Sequence, residues 1–150
     1  MNEKFKLMLV DDDVMCLESL ERALKRQGYD CVTFSDPEKA LLAFDKSEYQ
    51  VVLTDFRMPK INGLELIRRL RTLAPEIKAI IFTGYYQEKY NELSRKSNIS
   101  AYLSKPIQIA ALIEELNEMK ETILKVTKSK RKYIEKKSEE NTCTVKTYSW

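Results

Sequence analysis

A doubly wound α/β layer fold, with a five-stranded parallel sheet in the order 2-1-3-4-5, is what this sequence predicts, on three observations. Short apolar runs of strand length alternate five times with helix-patterned segments. The runs are mostly uninterrupted, which marks strands covered on both faces. Acids, a threonine and a lysine follow those runs, at the edge where open parallel sheets bind ligands.

Phe5 to Val10 is the first run. Val14 to Gln27 follows as a helix with Cys16, Leu17, Leu20 and Leu24 on one face, and Gly28 stops it. Cys31 to Phe34 is the second strand. Ser35-Asp36-Pro37-Glu38 has the pattern of a capping box with proline in the first turn, and the next helix turns Ala40, Leu41 and Phe44 inward. Val51 to Thr54 is the third strand, Pro59 to Gly63 a loop, and Leu64 to Leu73 a helix with Leu66, Ile67 and Leu70 inward and Pro75 beyond it. Ala79 to Phe82 is the fourth strand, Gln87 to Lys96 a polar fourth helix, Ala101 to Leu103 a short fifth strand, and Ile107 begins a long last helix.

Composition narrows the chemistry. With 150 residues and 43% hydrophobic content, the chain suits one domain with a real core. It contains no histidine, which excludes a Ser-His-Asp triad, histidine metal ligands and a histidine base. The three cysteines lack metal-type spacing; Cys16 and Cys31 read as small buried hydrophobes and Cys143 as a tail residue. Neither a signal peptide nor a membrane-length apolar stretch is seen, so a cytoplasmic location is expected. Residues 120 to 150 carry nine Lys/Arg and four Glu, +5, leaving 17 basic against 19 acidic residues, −2, in residues 1 to 119.

Asp11, Asp12 and Asp13 follow the first strand, Asp55 the third, Thr83 and Gly84 the fourth, and Ser104, Lys105 and Pro106 the fifth. Strands 1 and 3 flank the switch point of this order, so their acids converge. Two unit charges ~4 Å apart interact by about 4 kcal/mol at an effective dielectric near 20, so a proton or cation must relieve the repulsion. Clustered oxygens with water access suit Mg²⁺. Aspartate is itself a nucleophile that forms aspartyl-phosphate, and phosphoryl transfer needs positioning and charge neutralisation above all. Lys105 supplies positive charge and Thr83 a hydroxyl. Each residue alone has a plainer explanation as a turn former, surface lysine or helix cap, and Asp13 reads as the N-cap of the helix from Val14. The joint pattern on one sheet edge does not.

LMLVDDD, VVLTDFRMPKINGLEL, IIFTGYY and AYLSKPI, in this order across residues 5 to 120, closely resemble the receiver domain of bacterial two-component response regulators. The resemblance implies a flavodoxin-like (βα)5 fold and a phospho-accepting signalling domain rather than an enzyme. It implies Asp55 as the phospho-acceptor. Asp11, Asp12, Asp55 and the backbone carbonyl of Arg57 would hold Mg²⁺. Thr83 and Lys105 would bind the phosphoryl group, Tyr102 would be the switch aromatic, and the Lys105-Pro106 peptide would be cis. A histidine kinase or histidine phosphotransfer protein would be the donor, and the face formed by the fourth helix, fifth strand and last helix would switch for a downstream protein. Gly84 stands where the family more often has alanine and Asn62 where aspartate is common; neither blocks the site. Arg57 and Tyr85, two residues past key positions, are expected to shield the phosphorylated state from water.

Residues 1–120 thus read as the receiver and 121–150 as a basic helical extension and tail, in which no output domain is recognised. Ile109, Leu112, Leu116, Met119, Ile123 and Val126 keep a 3-4 spacing, through core packing first and then through a helical extension or a coiled-coil seam between two copies of the chain. KSKRKY, at Lys128 to Tyr133, could meet nucleic acid or acidic lipid, but a solvated tail is the favoured expectation, and neither nucleic-acid binding by the receiver itself nor membrane binding is expected. Two other functions compete. Asp11-Asp12-Asp13-Val14 with IIFTG also resembles haloacid-dehalogenase-like phosphatases, which need a late acidic pair that is missing after Lys105. A receiver-like binding module without phosphorylation leaves the acids, Thr83 and Lys105 unexplained.

Overall fold

The computed structural model describes residues 5–84 and 98–142. In chain order these form β1 (Lys6–Val10), α1 (Val14–Arg26), β2 (Asp30–Phe34), α2 (Pro37–Ala43), β3 (Val51–Asp55), α3 (Gly63–Leu73), β4 (Lys78–Thr83), β5 (Ala101–Ser104) and α4 (Ile109–Thr142). The helix expected over Gln87 to Lys96, and Tyr85, lie outside the described residues. The chain divides into two compact units, Met1–Glu115 and Leu116–Trp150, with the boundary inside α4.

In the first unit the strands form one five-stranded sheet in the order β2-β1-β3-β4-β5, parallel at every pairing. The apolar runs explain which strands lie inside. Leu7, Met8 and Leu9 of β1, Val51, Val52 and Leu53 of β3, and Ala79, Ile80 and Ile81 of β4 are fully buried. Each large side chain so buried stabilises the fold by roughly 1.5–3 kcal/mol. β2 and β5, on the edges, are mostly half-buried. This is why their runs are shorter and more polar.

The helices follow the sequence pattern with one correction. Leu17, Leu20 and Leu24 of α1 are buried, and Leu66, Ile67 and Leu70 of α3 are buried. Gly28 takes φ +84 past the end of α1, a conformation that glycine adopts without strain. The capping box expected from Ser35 does not form. Asp36 caps α2 instead, its carboxylate accepting from the Glu38 amide, with Pro37 in the first turn. Pro37 sets this register: it has no N–H to donate and favours the first helical position, so the residue just before it becomes the cap. Glu38 is thereby released to pair with Lys60, Nζ to Oε2 at 3.0 Å.

Candidate functional site

Strand register builds the site. Val10 of β1 pairs with Thr54 of β3, so Asp11 and Asp55 come next, side by side. Asp55 pairs with Phe82 of β4, and Thr83 pairs with Ser104 of β5, which brings Thr83 and Lys105 to the same edge. Two backbone bonds extend the ladders past the strand ends: the Phe56 amide donates to the Phe82 carbonyl and the Lys105 amide to the Thr83 carbonyl, each at 2.9 Å.

Carboxylate oxygens of Asp11, Asp12 and Asp55 all lie within 4.8 Å of one another. Asp11 is buried, Asp55 half-buried and Asp12 exposed. The Lys105 ammonium donates to Asp11 Oδ2 at 2.9 Å and lies 3.3 Å from Asp55 Oδ1. Backbone amides serve further carboxylate oxygens: Phe56 N–H donates to Asp55 Oδ1 at 2.9 Å and Asp13 N–H to Asp11 Oδ1 at 3.0 Å. Asp13 turns away from the cluster to cap α1, its Oδ1 accepting from the amides of Met15 and Cys16. The cysteine thiol donates to the other carboxylate oxygen at 3.2 Å.

The electrostatics follow. Burial, and then the charge of Asp11, hold the Asp55 carboxyl above the usual aspartate range against the pull of Lys105. Burial disfavours the Lys105 ammonium, but its hydrogen bond and attraction to Asp11, with Asp55 adding to them, outweigh that, and its pKa rises. Three carboxylates meet one ammonium, and all the donors are hard oxygens. Such a cluster can hold a metal ion.

The loop after β3 is shaped by sterics. A Cβ on Gly63 would overlap the Asp55 carbonyl oxygen and lie 3.1 Å from Thr54 Cγ2. The Gly63 amide instead donates to the Phe56 carbonyl at 2.8 Å, closing the loop under the acid. Lys60 takes φ 71 in that loop, and its ammonium reaches Asp36 and Glu38 of the α2 entry. These two features escape a reading by strand ends alone, although a glycine directly after the turn residues Pro59 to Asn62 was a usable signal for Gly63. Of the other expected residues, Thr83 is buried, Arg57 exposed, and Tyr102 half-buried against the core. The Lys105-Pro106 peptide is cis.

A family model described as response regulator receiver domain matches residues 7–117. The chain belongs to the response regulator receiver family. Response regulator receiver protein CpdR of Brucella abortus is 29% identical over 114 residues, covering 76% of this chain and 95% of that protein. The DNA-binding transcriptional regulator NtrC of Salmonella typhimurium is 33% identical over 109 residues, 71% of this chain but 23% of NtrC. Over several other curated relatives the chain spans between 24% and 46% of their length. A receiver domain structure from Clostridium thermocellum superposes with a TM-score of 0.74 at 27% identity, covering 80% of this chain and 98% of that one. The receiver is a signalling domain of two-component systems, not a classical enzyme. Among the described residues no helix is long and apolar enough to cross a membrane.

Proposed function

We propose that Asp55 of this receiver accepts a phosphoryl group from a histidine kinase or histidine phosphotransfer protein. The observation that carries this reading is the Lys105 ammonium set between Asp11 and Asp55, with Asp12 alongside. In the transfer, an Asp55 oxygen forms a bond to phosphorus as the bond to the donor's imidazole nitrogen breaks. None of these 150 residues can be the donor, since none is a histidine. Mg²⁺ is the fitting metal: Asp11, Asp12, Asp55 and the Arg57 carbonyl would hold it, and it would supply positive charge beside the phosphoryl oxygens.

Lys105 then pairs with the phosphoryl group and Thr83 donates its hydroxyl to it. Tyr102 follows Thr83, and the face made by the predicted fourth helix, β5 and the start of α4 changes for a downstream protein. Charge-assisted hydrogen bonds of this kind are strong enough to drive such a switch. Arg57, exposed two residues past the acceptor, hinders attacking water. Residues 1–120 act as the receiver and 121–150 as its extension, in the cytoplasm.

The test is intact mass after incubation with acetyl phosphate and Mg²⁺. One added phosphoryl group, absent in Asp55→Asn and absent with EDTA, is the expected result. If the chain neither gains that mass nor binds beryllofluoride with Mg²⁺, it acts as a binding module without phosphorylation.

A further inference from the structure

The sequence alone favours a solvated tail after Lys128, but the structure continues α4 to Thr142. From Lys128 to Glu139 every side chain is exposed. Between Lys125 and Lys137 stand seven Lys/Arg and one acid, Glu135, a net charge of +6 in 13 residues. At 1.5 Å per residue that charge lies along about 20 Å of helix.

Three partners for such a surface can be weighed. In a seam between two copies, the positions continuing Ile123 and Val126 are Lys130, Tyr133 and Lys137. Two lysines per chain would then face their own counterparts, which disfavours pairing. On an anionic bilayer, the helix would need an apolar face. At 100° per residue, Lys130 and Lys137 fall between Val126 and Tyr133 on one side and Ile123 and Ile134 on the other, so they interrupt that face. The third partner is duplex DNA. Its phosphates present one negative charge per ~1.7 Å, and its major groove, about 12 Å wide, admits a helix that is cationic on several sides. The major groove of A-form RNA is too narrow for one. The segment contains neither Asn nor Gln and a single arginine, Arg131, so it is equipped for phosphates and poorly for bases.

We propose that residues 125–137 of α4 form a phosphate-contacting surface for duplex DNA with little sequence preference. It does not depend on the chemistry of Asp55.

The test is fluorescence anisotropy of the full chain on two unrelated labelled 20-base-pair duplexes between 50 and 200 mM NaCl. Alongside it runs the variant K128Q/K130Q/R131Q/K132Q, its helix content checked by circular dichroism. The expected parent affinities for the two duplexes agree within about threefold, and log affinity falls against log salt with a slope of roughly −4 or steeper. The variant's slope is shallower by about 3 to 4. A parent slope flatter than about −2 overturns the proposal, and this reading needs no variant. So does an unchanged slope in a helical variant, or no binding at 50 mM NaCl. Binding to vesicles containing phosphatidylserine without binding to duplex, or a dimer in sedimentation that leaves the duplex unbound, overturns it in favour of a membrane or a second copy.

Discussion

The sheet edge around Asp55 and the second half of α4 use the same kinds of side chain to opposite ends. At the sheet edge, Asp11 and Asp55 are largely withdrawn from water, and the Lys105 ammonium lies 2.9 Å from one and 3.3 Å from the other. Burial, and then the charge of Asp11, raise the Asp55 carboxyl above the usual aspartate range, so each charge there acts individually. Along Lys128 to Glu139 the charges are in water, where solvent and salt screen each pair and single residues matter little. The lesson is that burial, more than charge count, decides whether an ionisable group acts individually or only as part of a field.

The largest expected effect tests how tightly the buried region is built. Gly63→Ala should cost about 2–4 kcal/mol in urea unfolding, because its Cβ meets the Asp55 backbone, which cannot rotate away. A loss below about 0.5 kcal/mol would mean that the loop yields easily and is no rigid support.

Next comes Lys105→Met, which leaves Asp11 and Asp55 facing each other without their cation. A cost of about 1–3 kcal/mol is expected in metal-free thermal unfolding, lower than for a fully buried pair because Lys105 is a quarter exposed. Mg²⁺ should raise the Tm of this variant more than that of the parent, since the metal no longer shares the acids with an ammonium. Equal shifts would show that Lys105 and metal do not compete.

Asp55→Asn has the opposite sign. A carboxyl whose folded pKa is raised binds its proton more readily in the folded chain, so its ionisation destabilises the fold as pH rises through that raised value. The variant should therefore be more stable than the parent near pH 7, on the order of 1 kcal/mol or roughly 3 °C in Tm. The gap should close as pH falls toward and below the ordinary aspartate range. A gap that stays constant with pH would assign the effect to packing.

Smallest is a surface cluster of Glu65, Arg68 and Arg69. Hydrogen bonds from Arg68, then Arg69, lower the Glu65 carboxyl to about 2. Its contribution is present above the unfolded glutamate pKa and is lost as pH falls through about 2. Glu65→Gln should shift Tm at pH 7 by only about a degree, and by less at high salt. A large shift would erase the contrast between buried and exposed charge.

Much of this was legible in the sequence because strand burial writes itself as continuous apolar runs. Val51 to Thr54 and Ala79 to Phe82 are such runs, and the structure extends them by one or two residues into Val51–Asp55 and Lys78–Thr83. The added residues are polar and join the ladder through their backbone, which hydrophobicity does not report. The α2 cap was misread by one residue because Ser35 and Asp36 are both good caps and proline geometry decided between them. The reach of α4 to Thr142 was not legible either, because residues 128 to 142 have no steady apolar stripe, and the helix is exposed at every residue from Lys128 to Glu139.

By itself, the sequence determined the alternation of strands and helices, the central strands, and the residues that end them, since these depend on local pattern and on which side chains avoid water. Tertiary structure alone decided that Lys105, 94 residues from Asp11, rests against it at 2.9 Å. It also decided that Gly63 must lack a side chain, because the Asp55 carbonyl occupies that space. Those outcomes depend on strand register and on distances of a few ångströms between segments, which a local pattern does not set.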